Sequence, residues 1–196
     1  MSGSKLKILA IVSGIALGGL ILLSWSQSWF IVTLVETASA EHTIAVDGDV
    51  AAPALAALGL AGLALVGALS IAGPVFRVIL GVLEATIGLC VILSAAVAVL
   101  GPVAASSSAV TKVTGVSGAD SIAALVAGVT MTVWPFVALV LGAAACALGV
   151  VIIVTSRRWP RASRKYQAAR FESDTPSDAA MTDWDALSEG TDPTSR

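Results

Sequence analysis

The segment Val75–Leu100, VFRVILGVLEATIGLCVILSAAVAVL, is almost entirely apolar and carries only two charged side chains, Arg77 and Glu84. An apolar helix of about 20 residues crosses the roughly 30 Å hydrocarbon core of a bilayer. Three further segments have the same character: Lys7–Trp25, Pro53–Ala72 and Trp134–Val154. The chain is 57% hydrophobic and only 12% charged, far more apolar than a soluble domain. The pattern predicts an all-α integral membrane protein with four transmembrane helices.

The basic residues predict the orientation of these spans. Eight of the eleven Lys and Arg residues lie on one side of the four segments: Lys5, Lys7, Arg157, Arg158, Arg161, Arg164, Lys165 and Arg170. Only Lys112 falls in a segment that the alternation of spans puts on the other side. Lys and Arg near membrane-spanning ends stay in the cytoplasm during insertion. We therefore expect a multi-pass protein of the plasma (inner) membrane with both termini cytoplasmic.

The first outer loop, residues 26–52, contains two β-rich runs. Trp29–Val35 is rich in Phe, Ile, Val and Thr, and Thr43–Val50 alternates apolar with polar residues. This period of two predicts an extracytoplasmic β-hairpin joined around Glu36–His42. A lone hairpin is marginally stable in water, so it should pack against something.

The second outer loop, residues 101–133, allows two interpretations of its last part. Thr130 and Thr132 alternate with apolar neighbours, which predicts a third strand over Val126–Val133. Ile122, Leu125, Val126 and Val129 also fit the spacing of a short interfacial helix. Periodicity alone leaves residues 121–133 open between strand and helix, and the Val and Thr content favours a strand. We expect a loop over Ala104–Ser108 and a short helical turn over Ser121–Ala124.

Three of the spans each carry a stripe of small residues along one helical face. These are Gly14 and Gly18 in the first span, Ala57, Ala61, Ala64 and Ala68 in the second, and Ala138, Gly142 and Cys146 in the fourth. Such stripes let helix backbones approach closely in a membrane. We expect them to pack the four helices against one another, with homo-oligomerisation as the alternative. Ala72-Gly73-Pro74 joins the second and third spans almost without a loop, which predicts a tight helical hairpin.

The chain divides into a membrane domain, residues 1–158, and a polar tail, residues 159–196. After Arg170 the tail is acidic and contains few apolar residues, so we expect it to be disordered and cytoplasmic. Met181, Trp184 and Leu187 are exceptions at helical spacing. They would form one apolar stripe on a short helix and predict a docking motif for a protein partner.

Glu84 and Arg77 form the candidate intramembrane polar site. They lie seven residues apart, on one face of the same span. Ionisable residues in a membrane are costly and usually face the protein interior or a polar cavity, so a proton, cation or solute site is one interpretation. The alternative is structural, with Arg77 reaching the cytoplasmic interface and Glu84 protonated or bonded to a neighbouring helix.

Four tryptophans are placed to act as interfacial anchors, with Trp25, Trp29 and Trp134 at the outer boundary and Trp159 at the inner one. His42 stands near flexible carboxylates without the fixed spacing of a metal site. No set of nucleophile, histidine and acid can be assembled, and no glycine loop suited to phosphate. Neither catalytic nor metal-binding residues are assigned, no cofactor is expected, and the charge gives no footprint for nucleic acid.

Several motifs resemble a family of actinobacterial membrane proteins associated with tryptophan biosynthesis: Arg157-Arg158-Trp159-Pro160, Asp183-Trp184-Asp185-Ala186-Leu187, Thr114-Gly115-Val116-Ser117-Gly118 and Thr132-Val133-Trp134-Pro135. Gln27-Ser28-Trp29 departs from the expected Gln-Pro-Trp. The resemblance implies four spans in the inner membrane and carries over no catalytic residues.

Our leading hypothesis is an accessory or scaffold component that is not an enzyme. It would contact the lipid bilayer and bind protein partners through its outer loops or its tail. The alternative is a small-solute transporter, or a transporter subunit, linked to aromatic amino-acid metabolism.

Overall fold

A computed structural model describes residues 3–35, 42–156 and 159. In chain order its elements are α1 (Gly3–Trp25), β1 (Ser28–Leu34), β2 (Thr43–Asp47), α2 (Gly48–Ala51), α3 (Ala54–Ile71), α4 (Pro74–Leu100), α5 (Pro102–Ala105), α6 (Ser107–Thr114), α7 (Ala119–Leu125), β3 (Val126–Met131) and α8 (Trp134–Thr155). Helices α1, α3, α4 and α8 are each long and apolar enough to cross a membrane. The four predicted spans are confirmed, with bounds that differ from the prediction by a few residues.

The four spans pack side by side. Helix α4 lies against α3 and α8, and α1 lies against the same two helices. The connection of α3 to α4 is as tight as predicted, because only Ala72 and Gly73 separate the two helices. We call this side of the bundle the hairpin end and the opposite side the cap end. Lys7 Nζ donates a 2.6 Å hydrogen bond to the carbonyl oxygen of Ser70, so α1 begins at the hairpin end.

The loops at the cap end fold into a three-stranded antiparallel sheet in the order β2-β1-β3. Ile31 in the central strand pairs with Ala45 of β2 and with Thr130 of β3. The predicted hairpin and the third strand are therefore confirmed. The connection around Glu36–His42 lies outside the described residues except for His42.

The sheet rests on the ends of the spans. Its inward side chains, which include Trp29, Phe30, Val32 and Val46, are buried in one core with side chains of α3, α4 and α8. The short helices α6 and α7 add Val110 and Ile122 to the same core, and α5 packs the half-buried Val103 and Ala105 against it. We call the sheet together with α2, α5, α6 and α7 the cap. Packing of the inward side chains against the spans stabilises a sheet that would be only marginally stable alone.

Two local predictions about the loops need correction. The strand predicted to reach Val50 ends at Asp47, and α2 follows, because Gly48 packs so close to Trp25 and Trp29 that a Cβ there would lie 2.6 Å from the Trp25 carbonyl oxygen. The loop predicted over Ala104–Ser108 is helical, since Pro102 opens α5 and Ser106 Oγ donates to its carbonyl oxygen. The helical turn predicted over Ser121–Ala124 lies within α7, and the strand favoured over Val126–Val133 is β3, so both of these predictions are confirmed.

The small-residue stripes have different outcomes. Gly18 of α1 packs against Gly59 and Leu63 of α3, and the stripe on α8 packs against α4, as predicted. The alanine stripe of α3 was wrongly assigned to the bundle interior, because its four members Ala57, Ala61, Ala64 and Ala68 are exposed. The opposite face of α3 is buried instead and carries Leu55, Gly59, Gly62, Leu65, Val66 and Leu69. Gly59 on this face allows α3 to approach α1 closely, since a Cβ there would lie 3.3 Å from the Gly18 carbonyl oxygen, and such close packing is what orients helices in a membrane.

Candidate functional site

Glu84 is the one acidic residue within the four spans that the structure describes. It lies near the middle of α4 and is only 3% exposed. Its Oε2 atom is buried and has no hydrogen-bond partner among the described residues. Burying a carboxyl oxygen without a hydrogen-bond partner costs free energy. An ionisable group buried within a membrane span is therefore a candidate functional site.

Two glycines flank Glu84 on the same buried face of α4. Gly81 lies opposite Gly149 of α8, and Gly88 lies opposite Gly142. A Cβ at Gly88 would come within 2.6 Å of the Gly142 carbonyl oxygen, and one at Gly149 within 2.6 Å of the Gly81 carbonyl oxygen. We call these four residues the glycine interface. It brings the backbones of α4 and α8 into direct contact on both sides of Glu84.

Arg77, the other member of the predicted polar site, has its partners at the hairpin end. Its Nε donates a 3.0 Å hydrogen bond to the carbonyl oxygen of Ala72. Its Cζ lies 5.3 Å from the centre of the Trp159 ring. Helical side chains lean toward the N-terminus of their helix, which here directs the guanidinium toward the hairpin end. The structure therefore does not bring Arg77 and Glu84 together as one site.

The predicted anchors lie at the expected ends of the bundle but differ in exposure. Trp25 ends α1 and Trp134 begins α8, and both rings are half-buried at the cap end. Trp29 is fully buried in the cap core, where its Nε1 donates a 2.8 Å hydrogen bond to the carbonyl oxygen of Ser24. Trp159 is 3% exposed and donates from Nε1 to Thr155 Oγ1 at 3.1 Å. The rings of Trp29 and Trp159 are therefore both buried within the protein.

The remaining candidates do not assemble into a site. His42, Asp47 and Asp49 are exposed in the cap. Across residues 3–35, 42–156 and 159, no three His, Cys, Asp or Glu side chains come together as metal ligands. Cys90 and Cys146 are both free thiols, and Cys146 Sγ donates to the carbonyl oxygen of Ala85 at 3.3 Å. The predicted docking motif of Met181, Trp184 and Leu187 lies outside the described residues, as does the rest of the tail after Trp159.

One candidate contact surface was predicted from the sequence only as part of the outer loops. The side of the sheet that faces away from the core is exposed and is made of Ile31, Thr33, Thr43, Ala45 and Thr130. We call it the outer sheet face. The alternation of apolar and polar residues in the two β-rich runs of the first outer loop predicts which residues share a face of each strand. The position of β3 beside β1 could not be read from alternation, because it depends on pairing across about 100 residues of chain.

Comparison with known protein families agrees with this architecture. The profile of the family described as tryptophan-associated transmembrane protein (Trp_oprn_chp) matches residues 11–194. The chain belongs to this family. No curated protein and no solved structure matches the chain.

Membership of the tryptophan-associated transmembrane family has two consequences. The matched residues include most of α1, all of α3, α4 and α8, and the whole cap, so the four helices belong to a multi-pass membrane protein in contact with the lipid bilayer. The family description names an association with tryptophan and specifies no activity.

Proposed function

We propose that this member of the tryptophan-associated transmembrane family is an accessory or scaffold component of the plasma membrane, not an enzyme, and that it acts by binding protein partners at its cap. The observation that carries the proposal is the construction of the cap. Two separate loops are ordered into one sheet over a core shared with the spans. Ordering each residue costs about 1–2 kcal/mol of backbone entropy, which a passive connection need not expend.

The outer sheet face suits such a role. Its threonines and its alanine surround Ile31, which is 39% exposed. An apolar side chain within a polar surface is a common centre of a protein interface, because the partner can bury it while the rim remains hydrated. In this proposal the spans hold the sheet at a fixed distance from the membrane.

The orientation in the proposal places the cap outside the cytoplasm and both termini inside. The support is the charge asymmetry of the sequence, with Lys112 of α6 as the one basic residue of the cap among the described residues. A single cysteine at Ser108, exposed on α6, should react with a membrane-impermeant thiol reagent in whole cells. A cysteine at Ser188 should react only after the cells are opened. Labelling of Ser188 but not of Ser108 in whole cells would refute the orientation.

The labelling is done in a chain whose two native cysteines, both within spans, have been replaced. Cys90→Ala removes one thiol. Cys146→Ser removes the other and keeps a donor for the Ala85 carbonyl oxygen. The background chain without an added cysteine serves as the control for nonspecific labelling.

A transporter, or a transporter subunit, is the second candidate function, and Glu84 is the observation that favours it. A carboxyl oxygen without a partner in the bundle interior could bind a proton or a cation during transport. The glycine interface argues against a solute path between α4 and α8, because their backbones touch on both sides of Glu84. The leading proposal therefore gives Glu84 a structural role.

Glu84→Gln separates the two candidate functions. Gln has nearly the same shape as a neutral Glu and cannot exchange a proton. If Glu84 is structural, the variant should match the unchanged chain in abundance in the membrane and in any uptake or efflux of aromatic compounds by the cells. Loss of such a flux at normal abundance would establish transport and overturn the leading proposal. Glu84→Ala is the matched control for a loss of packing.

A further inference from the structure

The cap contains a groove of about 880 Å³ between the end of α4 and the short helices α5, α6 and α7. Its floor and walls are largely apolar and include Leu100, Pro102, Val103 and Ile122. The volume is in the range of sites that hold small organic molecules. The groove is separate from Glu84, which lies near the middle of α4.

The polar lining of the groove is gathered on α6. Ser107, Ser108 and Thr111 contribute hydroxyl groups, and Lys112 contributes an ammonium group. Lys112 is the only charged residue in the lining that the structure describes. Hydroxyl and ammonium groups together present donors to an anion.

The apolar lining continues onto the membrane-facing surface. Leu100, the last residue of α4, lines the groove and is 85% exposed. Val97, one turn earlier on the same span, is 72% exposed. These side chains lie where the hydrocarbon of a bilayer would cover a span. The groove therefore opens toward the lipid at the cap end of α4.

We propose that this groove binds one anionic phospholipid taken from the surrounding bilayer. The phosphate of the headgroup lies beside Lys112 and the α6 hydroxyl groups, and an acyl chain follows Leu100 and Val97. A water-soluble anion would leave the apolar floor and the exposed leucine uncovered. A zwitterionic lipid would set a second positive charge near Lys112. The proposal holds for either orientation of the chain in the membrane.

Native mass spectrometry of the full chain in detergent micelles tests the proposal, with phosphatidylglycerol and phosphatidylcholine titrated separately. The unchanged chain should bind one phosphatidylglycerol more tightly than phosphatidylcholine. Lys112→Gln should weaken phosphatidylglycerol binding about fivefold, the effect of one basic residue near a membrane surface, and leave phosphatidylcholine unchanged. Lys5→Gln is the matched control, because Lys5 is exposed on α1, at the hairpin end.

Filling the groove tests the location of the lipid. Ala104 lines the groove and is exposed, so Ala104→Trp should block the groove without disturbing the buried core. It should abolish binding of the single phosphatidylglycerol at an unchanged unfolding temperature. If that temperature falls, Ser108→Trp fills the same groove from α6.

Four outcomes would overturn the proposal. Equal affinity for the two lipids, or no effect of Lys112→Gln, would show that the charge is not used. Binding that survives both tryptophan variants would place the lipid outside the groove. Displacement of phosphatidylglycerol by millimolar inorganic phosphate would show a headgroup site that needs no acyl chain.

Discussion

The guanidinium carbon of Arg77 lies 5.3 Å from the centre of the Trp159 ring, and both side chains are 3% exposed. The pair connects the start of α4 with the residue just beyond α8 at the hairpin end. Cation–π contacts contribute about 0.5–1 kcal/mol at exposed sites and about 2 kcal/mol or more when water is excluded. This contact therefore fixes the chain after α8 to the bundle.

A double-mutant cycle with Arg77→Gln and Trp159→Leu should give a coupling free energy of about 1–2 kcal/mol for unfolding in detergent micelles. The cycle isolates the pair from the other contacts of each residue, such as the Arg77 hydrogen bond to Ala72. Trp159→Phe is the control, since it keeps an aromatic ring and loses the donor to Thr155 Oγ1. A coupling near zero would mean that the two residues stabilise the chain independently.

The glycine interface should not tolerate an added methyl group. A Cβ at Gly149 would lie 2.6 Å from the backbone nitrogen of Ala85, and backbone cannot move aside as a flexible side chain can. Gly149→Ala should lower the free energy of unfolding by about 1–3 kcal/mol, as expected for overpacking. Reversible unfolding in mixed micelles measures the change.

Gly67→Ala is the matched control for this prediction. Gly67 lies on the exposed side of α3, and a Cβ there would meet no atom within 4 Å. The change should be neutral or stabilising by up to about 1 kcal/mol, because Ala favours a helix over Gly. Equal destabilisation by both variants would show that glycine itself, and not the close approach of α4 and α8, is required.

The two tryptophans near the end of α1 should differ in their response to Phe. Trp29 Nε1 donates to Ser24, whereas Trp25 Nε1 is buried without a hydrogen-bond partner among the described residues. Trp29→Phe should cost about 0.5–1.5 kcal/mol of unfolding free energy, since it removes one buried hydrogen bond while the Ser24 carbonyl oxygen keeps the 3.3 Å bond from the Gln27 backbone N–H. Trp25→Phe should cost clearly less. The reverse order in an unfolding assay would contradict the assignment of Trp29 to the cap core.

The sequence predicted the spans well and the contacts between them poorly. Apolar length is a property of each segment alone, so Val75–Leu100 could be assigned without knowledge of its neighbours. A stripe of small residues shows that two backbones can approach but not which helix is the partner. The alanine stripe with Ala61 was therefore placed inside the bundle and proved to be exposed.

For the candidate polar site too, the sequence predicted the positions of the residues along their helix but not their contacts with other helices. Spacing put Arg77 and Glu84 on one buried face of α4, which the structure confirms. Spacing could not show that Arg77 turns to the hairpin end, because its partner Trp159 is more than 80 residues later in the chain. In the cap, residues 121–133 fitted both the helix and the strand pattern, and the pairing of Ile31 with Thr130 shows where the strand forms.

Crosslinking from the outer sheet face tests most directly whether the chain acts through its cap. A photoreactive residue placed at Ala45 or Thr130, on either side of Ile31, should capture the same protein in intact membranes. The same residue at Val140, which is 68% exposed on α8, should capture lipid and not that protein. Ile31→Asp should reduce capture from both cap positions at unchanged abundance. Lipid adducts alone from Ala45 and Thr130, or the same protein captured from Val140, would contradict the account.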